Sequence, residues 1–560
     1  MAQSRWKRSL TGCVPLTVGT AMALAAIGCG SSSHAGEADA SADHHTSSVD
    51  AAMADHATHD AGVDHKTSTP DAYVGADAGT DTGTSPAHDA GDGLGIPPSP
   101  VQAGTSLACT KNIGTGSGTL NYPTLQSTLT LAAGDVVCIA AGTYSGASFA
   151  GATATGNPIT IQNAPGATVT FDGTVSFSNL HNVVFSGAGT TGQLTGITLN
   201  GAGINDNVDI TGPLDTFTFQ NVSLVQGDRY GVYVNDDTLV YQAGNPASYF
   251  HDLTFKNLSI QSQAGSGAYY TFAFGPTSAG LTAAHAFISI TENLEIAHCD
   301  IGNIVPGIVM SLGDVQGAKI HHNRFLNINV GDTDHDALIL LAGYGDIYDN
   351  YARIYHGEGA RLWPFGISAP VTLNVYNNIN LGSIKYSAIE FQPNCPELNV
   401  LSLVPPAGLG ATLNAYNNTA GELATVAEGN PSLCGDVSLS ATPGWYSGVI
   451  DTYDTVEAGA YVKLTNNLVF ASYCPYDNGQ AQATPQSFGG HLINFEGNLA
   501  PDFKTNAYYA SSVDAGLLDD KGVTPVGSSP VVGQGTALPG LTTDFYGNPR
   551  HAPPSIGAVE

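Results

Sequence analysis

Between Thr333 and Glu390 the sequence gathers side chain types suited to acid–base work on a sugar polymer. Acting on a uronide takes a cation or metal to neutralise the carboxylate, a base for the C5 proton and an acid for the glycosidic oxygen. Arg361 can supply the first, and His335, Lys385 and Tyr386 the second and third. Trp363 offers a flat apolar face to a sugar ring, with Glu390 beside it as a further substrate contact. Asp334, Asp336 and Glu358 are candidate oxygen ligands for Ca²⁺, which takes six to eight oxygens. With Glu390, the same acids could instead supply the paired carboxylates of a glycoside hydrolase. Each residue also has a plainer role. His335 and Asp336 can cap a turn, Arg361 can pair with Glu390, Trp363 can pack under an insertion, and Lys385 can be solvated. The argument for chemistry is their convergence, because Arg353, Arg361 and Lys385 fall close together in a body with few cations.

Such residues need elements that stack them. Ile320-His-His-Asn323, Ile347-Tyr-Asp-Asn350 and Val375-Tyr-Asn-Asn378 each put an apolar residue three places before an asparagine. Each is followed by a second matching piece, His335-Asp-Ala-Leu338, Gly359-Ala-Arg-Leu362 and Tyr386-Ser-Ala-Ile389. A repeating coil is the economical reading. Setting Leu338, Leu362 and Ile389 inward sends Ala337, Arg361 and Ala388 outward in one column and Ile339, Trp363 and Glu390 in the next. Asparagines at successive corners are expected to stack and to hydrogen-bond the turn backbone, continuing from Cys299 through Asn323, Asn350, Asn378 and Asn418 to Asn467. The long last intervals imply insertions at about Gln392–Ala411 and Glu422–Gly459.

The wider composition agrees with turn-rich β-structure: 68 glycines and 30 prolines in 560 residues, with 11% charged side chains. Short apolar triplets recur at Val183–Phe185, Ile197–Leu199, Phe217–Phe219, Leu253–Phe255 and Leu294–Ile296. The opening segment, Gly134-Asp-Val-Val-Cys-Ile-Ala-Ala-Gly-Thr-Tyr-Ser145 with Asn157-Pro-Ile-Thr-Ile161 and Val169-Thr-Phe171, resembles the first coils of bacterial right-handed parallel β-helix proteins of the pectate-lyase-like superfamily. That resemblance implies an all-β solenoid over 105–560 and leaves the chemistry open among lyases, hydrolases, epimerases and proteins without activity. It places Cys109 and Cys138, 29 residues apart, on adjacent rungs as a disulfide. The tail from Ser529 to Glu560 resembles the ending of many surface β-helix proteins and is expected to cap the last rung over about 500–560. Thr333-Asp-His-Asp336 resembles the Asp-Pro-His-Asp/Glu motif of alginate epimerases, with Thr333-Asp334 in place of the Asp-Pro pair. Cys299, at a ladder position, is expected to be a buried free thiol; one pair among Cys395, Cys434 and Cys474 is expected to pin an insertion, with the pairing open.

At the N-terminus, Arg5, Lys7 and Arg8 precede an apolar run from Val14 to Ile27, the order of an export signal. Ala26-Ile27-Gly28-Cys29 resembles a bacterial lipoprotein box, which implies a signal peptide over 1–28 and acylation of Cys29. Residues 29–104, rich in Ala, Asp, Ser and His, are expected to be a disordered tether, because they cannot bury enough surface to offset their ordering entropy. Residues 101–560 carry 35 acidic against 12 basic side chains, a net charge of −23. A body this acidic excludes nucleic acid and anionic membrane surfaces as partners. The expectation is therefore an exported, lipid-anchored, monomeric β-helix that binds or cleaves polysaccharide, most plausibly as an acidic-glycan lyase. The alternatives are a non-catalytic surface β-helix and a hydrolase.

Overall fold

A computed structural model describes residues 96–560, except 202–205, 226–228, 264–269, 276–287, 305–307, 329–336, 365, 368–370, 393–410, 430–447, 453–460, 475–492, 496–501 and 519–522. The expected signal sequence, Cys29 and nearly all of the expected tether thus lie outside the described residues.

Alternation sets the local structure. In Phe217-Thr-Phe219 and Leu253-Thr-Phe255 the outer residues are buried and the middle one is half-buried, the period-two pattern of a strand with one face on a core. No strand of this kind can bury its inner face alone, and each pairs in parallel with its counterpart one coil on. Phe217 aligns with Leu253 and Leu253 with Leu294. Ile320 aligns with Ile347, Ile347 with Val375, Val375 with Ala415 and Ala415 with Leu464. The result is a right-handed parallel β-helix, the hand that parallel crossover connections take.

The coil has three faces made from two sheets, one of 21 strands and one of 12. The larger sheet is bent into a first and a second face. Long strands such as Asp206–Gln220, Met310–His321 and Ala337–Tyr348 run around the bend, where the register shifts, as at Leu312/Val315. Glycine is required at this bend: a Cβ on Gly343 would lie 1.8 Å from the Val315 carbonyl oxygen, and one on Gly345 2.1 Å from that of Ala318. The second sheet forms the third face, from Gly142–Tyr144 to Ala507–Tyr509. Inward side chains build one continuous core along the axis. Phenylalanines pack rung on rung within it, Phe177 on Phe217 at 5.0 Å and Phe185 on Phe219 at 5.4 Å between ring centroids.

The corner between the second and third faces carries the asparagine ladder. Asn350 Oδ1 accepts from both the backbone N–H and the side chain Nδ2 of Asn323. Asn378, Asn418 and Asn467 repeat the arrangement, and Asn506 extends it one rung beyond the expected end. The residue before each ladder asparagine turns the chain through a left-handed conformation, at Asn377, Asn417 and Asn466 with φ of 54°, 54° and 57°. Asparagine tolerates that region better than most residues.

Two expectations about the ends are corrected here. Chain order starts before residue 105: residues 97–109 lie along the ladder corner. The Pro97 carbonyl accepts from Arg324, the Gln102 carbonyl from Asn221, and the Leu107 carbonyl from Gln162. Cys109 then joins Cys138 in a disulfide. The tail beyond residue 523 is also a strap laid back along the same corner, not a lid on the last rung. Asn466, Asn417 and Asn377 donate to the carbonyls of Thr536, Gly557 and Thr543. The reason is partly shared: corner asparagines one place before the ladder position, Asn221 for the first segment and Asn377, Asn417 and Asn466 for the second, donate outward, and the chain laid over them accepts. The insertions over 393–410 and 430–447 lie outside the described residues. Cys299 is a buried free thiol, and Cys474 is disulfide-bonded to a cysteine outside the described residues.

Candidate functional site

The expected columns do not form as aligned. Leu362 lies between Leu341 and Phe391, and Ala360 between Ile339 and Ile389. Matching the tetrapeptides by similarity slipped the first rung by three residues and the third by two, because corners of unequal length separate them. Arg361 therefore stacks between Leu340 and Glu390, and Trp363 beside Ala342.

Nor is this face open. Arg361 is 5% exposed, with its guanidinium 3.0 Å from both Glu358 and Glu390, themselves 0% and 1% exposed. Burial works against the Arg361 charge, but Glu390 and Glu358 together hold its pKa above the ordinary value. Lys385 and Tyr386 are buried as well, and Trp363 is half-buried against Ile288, Ile290, Ile308 and Leu340. Segments around 240–250, 288–290 and 308 form a roof over the first face. Glu358 is thus committed to an arginine, which removes it from a Ca²⁺ set. Asp334, His335 and Asp336 lie outside the described residues.

The second face is built on the same repeat and leaves its outward tyrosines, Asp346, Asn374 and Asn414 half-buried, with His321 buried. Two places before each ladder asparagine stand His321, Tyr348, Tyr376 and Tyr416. Their rings stack in a column with centroids 4.6, 4.9 and 4.9 Å apart and interplanar angles of 11°, 1° and 2°. A second column runs beside it, two residues earlier in each strand. There Asp346 accepts from Asn374 at 2.7 Å, and Asn374 from Asn414 at 2.9 Å. Exposed Lys319 and Lys463 flank these residues in the same column, which continues to Glu295 on one side and Asp502 on the other. From Lys319 to Lys463 the column covers four rung intervals, roughly 19 Å at about 4.8 Å each. Burial, with help from Asp349, pushes the Tyr348 phenol up to about 12, and burial and Asp346 do the same to Tyr416, so both remain hydrogen-bond donors.

At the N-terminal end of this column three histidines meet. His298 and His322 occupy successive left-handed corner positions, φ 55° and 54°, where later rungs place Asn377 and Asn417. Their rings stack at 4.9 Å. His321 Nδ1 lies 2.9 Å from His322 Nδ1, and His321 Nε2 lies 3.1 Å from Glu295 Oε1. Thr254 donates to the other Glu295 oxygen at 3.2 Å. The imidazole on His321 holds the Glu295 pKa below its usual range, so the carboxylate is ionised. Sequence reasoning passed over these residues although it quoted them. In Ile320-His-His-Asn323 the two positions between apolar residue and asparagine are the outward column and the corner, which makes them the informative ones.

A further polar cluster lies nearer the N-terminus on the first face. Asp206 and Asp209 sit on one strand paired with that of Tyr230 and Tyr233, whose rings stack at 4.6 Å, and Arg229 lies 4.9 Å over Tyr230. Burial first, and then the Asp209 charge, push the Asp206 carboxyl up to about 6.

No protein-family model and no curated protein matches the sequence. Among solved structures, the chain resembles other β-helix proteins. Pectate lyase Pel9A is 11% identical, with 82% of this chain and 99% of that one covered and a TM-score of 0.30. An alginate lyase from Paenibacillus sp. str. FPU-7 is 16% identical over 71% of this chain and all of that one, with a TM-score of 0.32. The catalytic unit of a GH87 alpha-1,3-glucanase from Streptomyces thermodiastaticus is 14% identical over 71% and 70%, with a TM-score of 0.36. At this distance the chemistry of those proteins says nothing about which residues act here. Among the described residues, no helix is long and apolar enough to cross a membrane.

Proposed function

We propose that this is an exported, carbohydrate-active β-helix protein that holds a linear polysaccharide along its second face. The observation that carries the reading is the open double column of Tyr348, Tyr376 and Tyr416 beside Asp346, Asn374 and Asn414. Successive phenol and amide groups recur there at the spacing of the rungs, and a linear polymer laid along the axis meets the same contacts at each step. The tyrosines stack on one another, so they offer hydroxyl edges and hydrogen bonds to sugar hydroxyls. Lys319 and Lys463 place single cations in the column, each beside an acidic residue one rung away, and give an acidic glycan two points of contact despite the acidic body. Export through the signal sequence and anchoring through an acylated Cys29 complete the proposal, with residues 30–95 as the tether.

Binding, more than cleavage, is what this face supports: His321, its best-placed base, is buried and donates through Nε2 to Glu295. Lyase-like action on an acidic glycan is kept as an activity to assay. Paired carboxylates give a second reading. Burial raises both carboxyls, Asp206 to about 6, so the pair offers a candidate acid and base for a glycoside hydrolase.

The test is affinity electrophoresis against acidic and neutral polysaccharides, with unsaturated products and reducing ends followed in parallel. Tyr376→Ala is expected to weaken retention by the bound glycan at least tenfold. Retention by no glycan, or unchanged retention by Tyr376→Ala, would overturn the reading. Reducing ends that vanish in Asp206→Asn would establish the hydrolase reading instead.

A further inference from the structure

The histidine corner adjoins the polysaccharide face, with His321 at the head of its ring column, and has a chemistry of its own. One ligating atom from each of His298, His321 and His322 lies within 4.8 Å of the others. A hydrogen bond fixes how the His321 ring is oriented. His321 points Nε2 at Glu295 at 3.1 Å, so that nitrogen carries the proton and donates to the carboxylate. His322 Nε2 lies 3.7 Å from Asp349 Oδ2, too far for a hydrogen bond to set its tautomer. The His321 Nδ1 lone pair is then bare, and it faces His322 Nδ1 2.9 Å away. Two ring nitrogens at that separation hold either a proton or a metal ion between them.

We infer that His298, His321 and His322 form a binding site for a divalent transition metal ion of the imidazole-preferring class, for which Zn²⁺ is the probe. Zn–N bonds of about 2.0–2.1 Å in a tetrahedral site put ligand nitrogens about 3.3 Å apart, so His321 and His322 already have near-ligand spacing. His298 must close by roughly 1.5 Å from the outer limit of the cluster, a movement its half-buried ring can make. Its Nδ1 now lies 3.4 Å from the side chain amide nitrogen of Gln102. Turning that amide over lets its oxygen accept from Nδ1–H and bares Nε2 for the ion. Glu295 then acts as the carboxylate that orients a ligand histidine, itself held by Thr254, an arrangement usual for ligating imidazoles. Three neutral nitrogens leave a fourth position, toward solvent beside the 42% exposed His322 side chain, for water or another ligand. The corner positions reinforce the assignment: two consecutive rungs carry histidine where the next rungs carry aspartate and asparagines that suit the left-handed turn. Ca²⁺ is excluded as an occupant by its preference for oxygen.

The site stands whether or not a glycan binds, and its test is independent of carbohydrate. The full chain is titrated with Zn²⁺ by calorimetry beside His298→Asn/His322→Asn, which gives both corners the residue their neighbours use and so preserves the turn. The seven histidines of the tether are common to both proteins and cancel. Wild type is expected to take up one more equivalent than the double variant, with an affinity at least 100-fold above that of the remaining sites. Glu295→Gln is expected to weaken that equivalent by about 10- to 100-fold. Loading with Co²⁺ should give visible d–d bands that the double variant lacks. Equal stoichiometry in the two proteins, or the same Co²⁺ spectrum, would overturn the assignment and leave the histidine pair holding a shared proton only.

Discussion

The first and second faces are cut from the same bent sheet, and many of their strands are halves of one segment, yet they treat outward polar residues in opposite ways. Along Ala337–Tyr348 the first half stacks Leu340, beneath a roof, on buried Arg361, while the second half leaves Asp346 and Tyr348 half-buried, in reach of solvent. The roofed column has become a second core in which charge must be paired internally. The open column keeps its hydrogen-bonding edges for something outside. Position in the repeat therefore does not decide whether a side chain is structural or functional; what the corner insertions cover decides it.

The largest effect should come from breaking the roofed network. Arg361→Ala removes the guanidinium that lies between buried Glu358 and Glu390, and removing one partner of a buried ion pair costs about 3–5 kcal/mol. Chemical denaturation is expected to show that loss, with glycan retention of the folded fraction unchanged. A loss below about 1 kcal/mol would mean that the roof opens and water reaches the carboxylates, which would erase the contrast between the faces.

The bend joining the faces provides the next test. Asp314 is fully buried there, with no hydrogen-bond partner for either oxygen among the described residues, and burial pushes its carboxyl up to about 8. The folded state then binds a proton more tightly than the unfolded chain, whose carboxyl titrates near the ordinary value of 3.8. Stability from this group is full below about 4 and falls as pH rises toward about 8, with a slope of at most about 1.4 kcal/mol per pH unit. Asp314→Asn should remove that slope, as measured by thermal melts across the range. A wild-type stability that rises between pH 5 and 8 by the amount assigned here to a fall would show a charged, partnered Asp314.

Much of this architecture can be read in the chain, and the reason is periodicity. The asparagine spacing located the ladder because an apolar residue three places earlier recurs each time, a pattern that corner length does not disturb. The site was harder to read for the converse reason. Aligning His335–Leu338 with Gly359–Leu362 relied on likeness across corners of unequal length, and one slipped residue changes which side chains share a column. The cover over Leu340 and Trp363 comes from residues such as Ile288 and Ile308, which lie far away in sequence and carry no periodic mark. The histidine corner needed only the step from naming a repeat to asking which of its positions face out, and His321 and His322 fill two of them.

The smallest expected effect belongs to the ends of the open column. Lys319 and Lys463 are solvent-exposed, so each contributes little to stability, and screening limits what each adds to binding. Replacing both by alanine should leave the melting temperature within about 2 °C of wild type, as for exposed substitutions generally. If the ligand is acidic, retention should weaken about two- to fivefold at low salt and the difference should vanish near 0.5 M salt, where the Debye length is only a few ångströms. A neutral glycan should be retained equally by both proteins at every salt concentration. That pair of outcomes separates the contribution of charge at the two ends from that of the tyrosine and asparagine columns between them, which the roofed face, with its cations already spent on Glu358 and Glu390, has no means to reproduce.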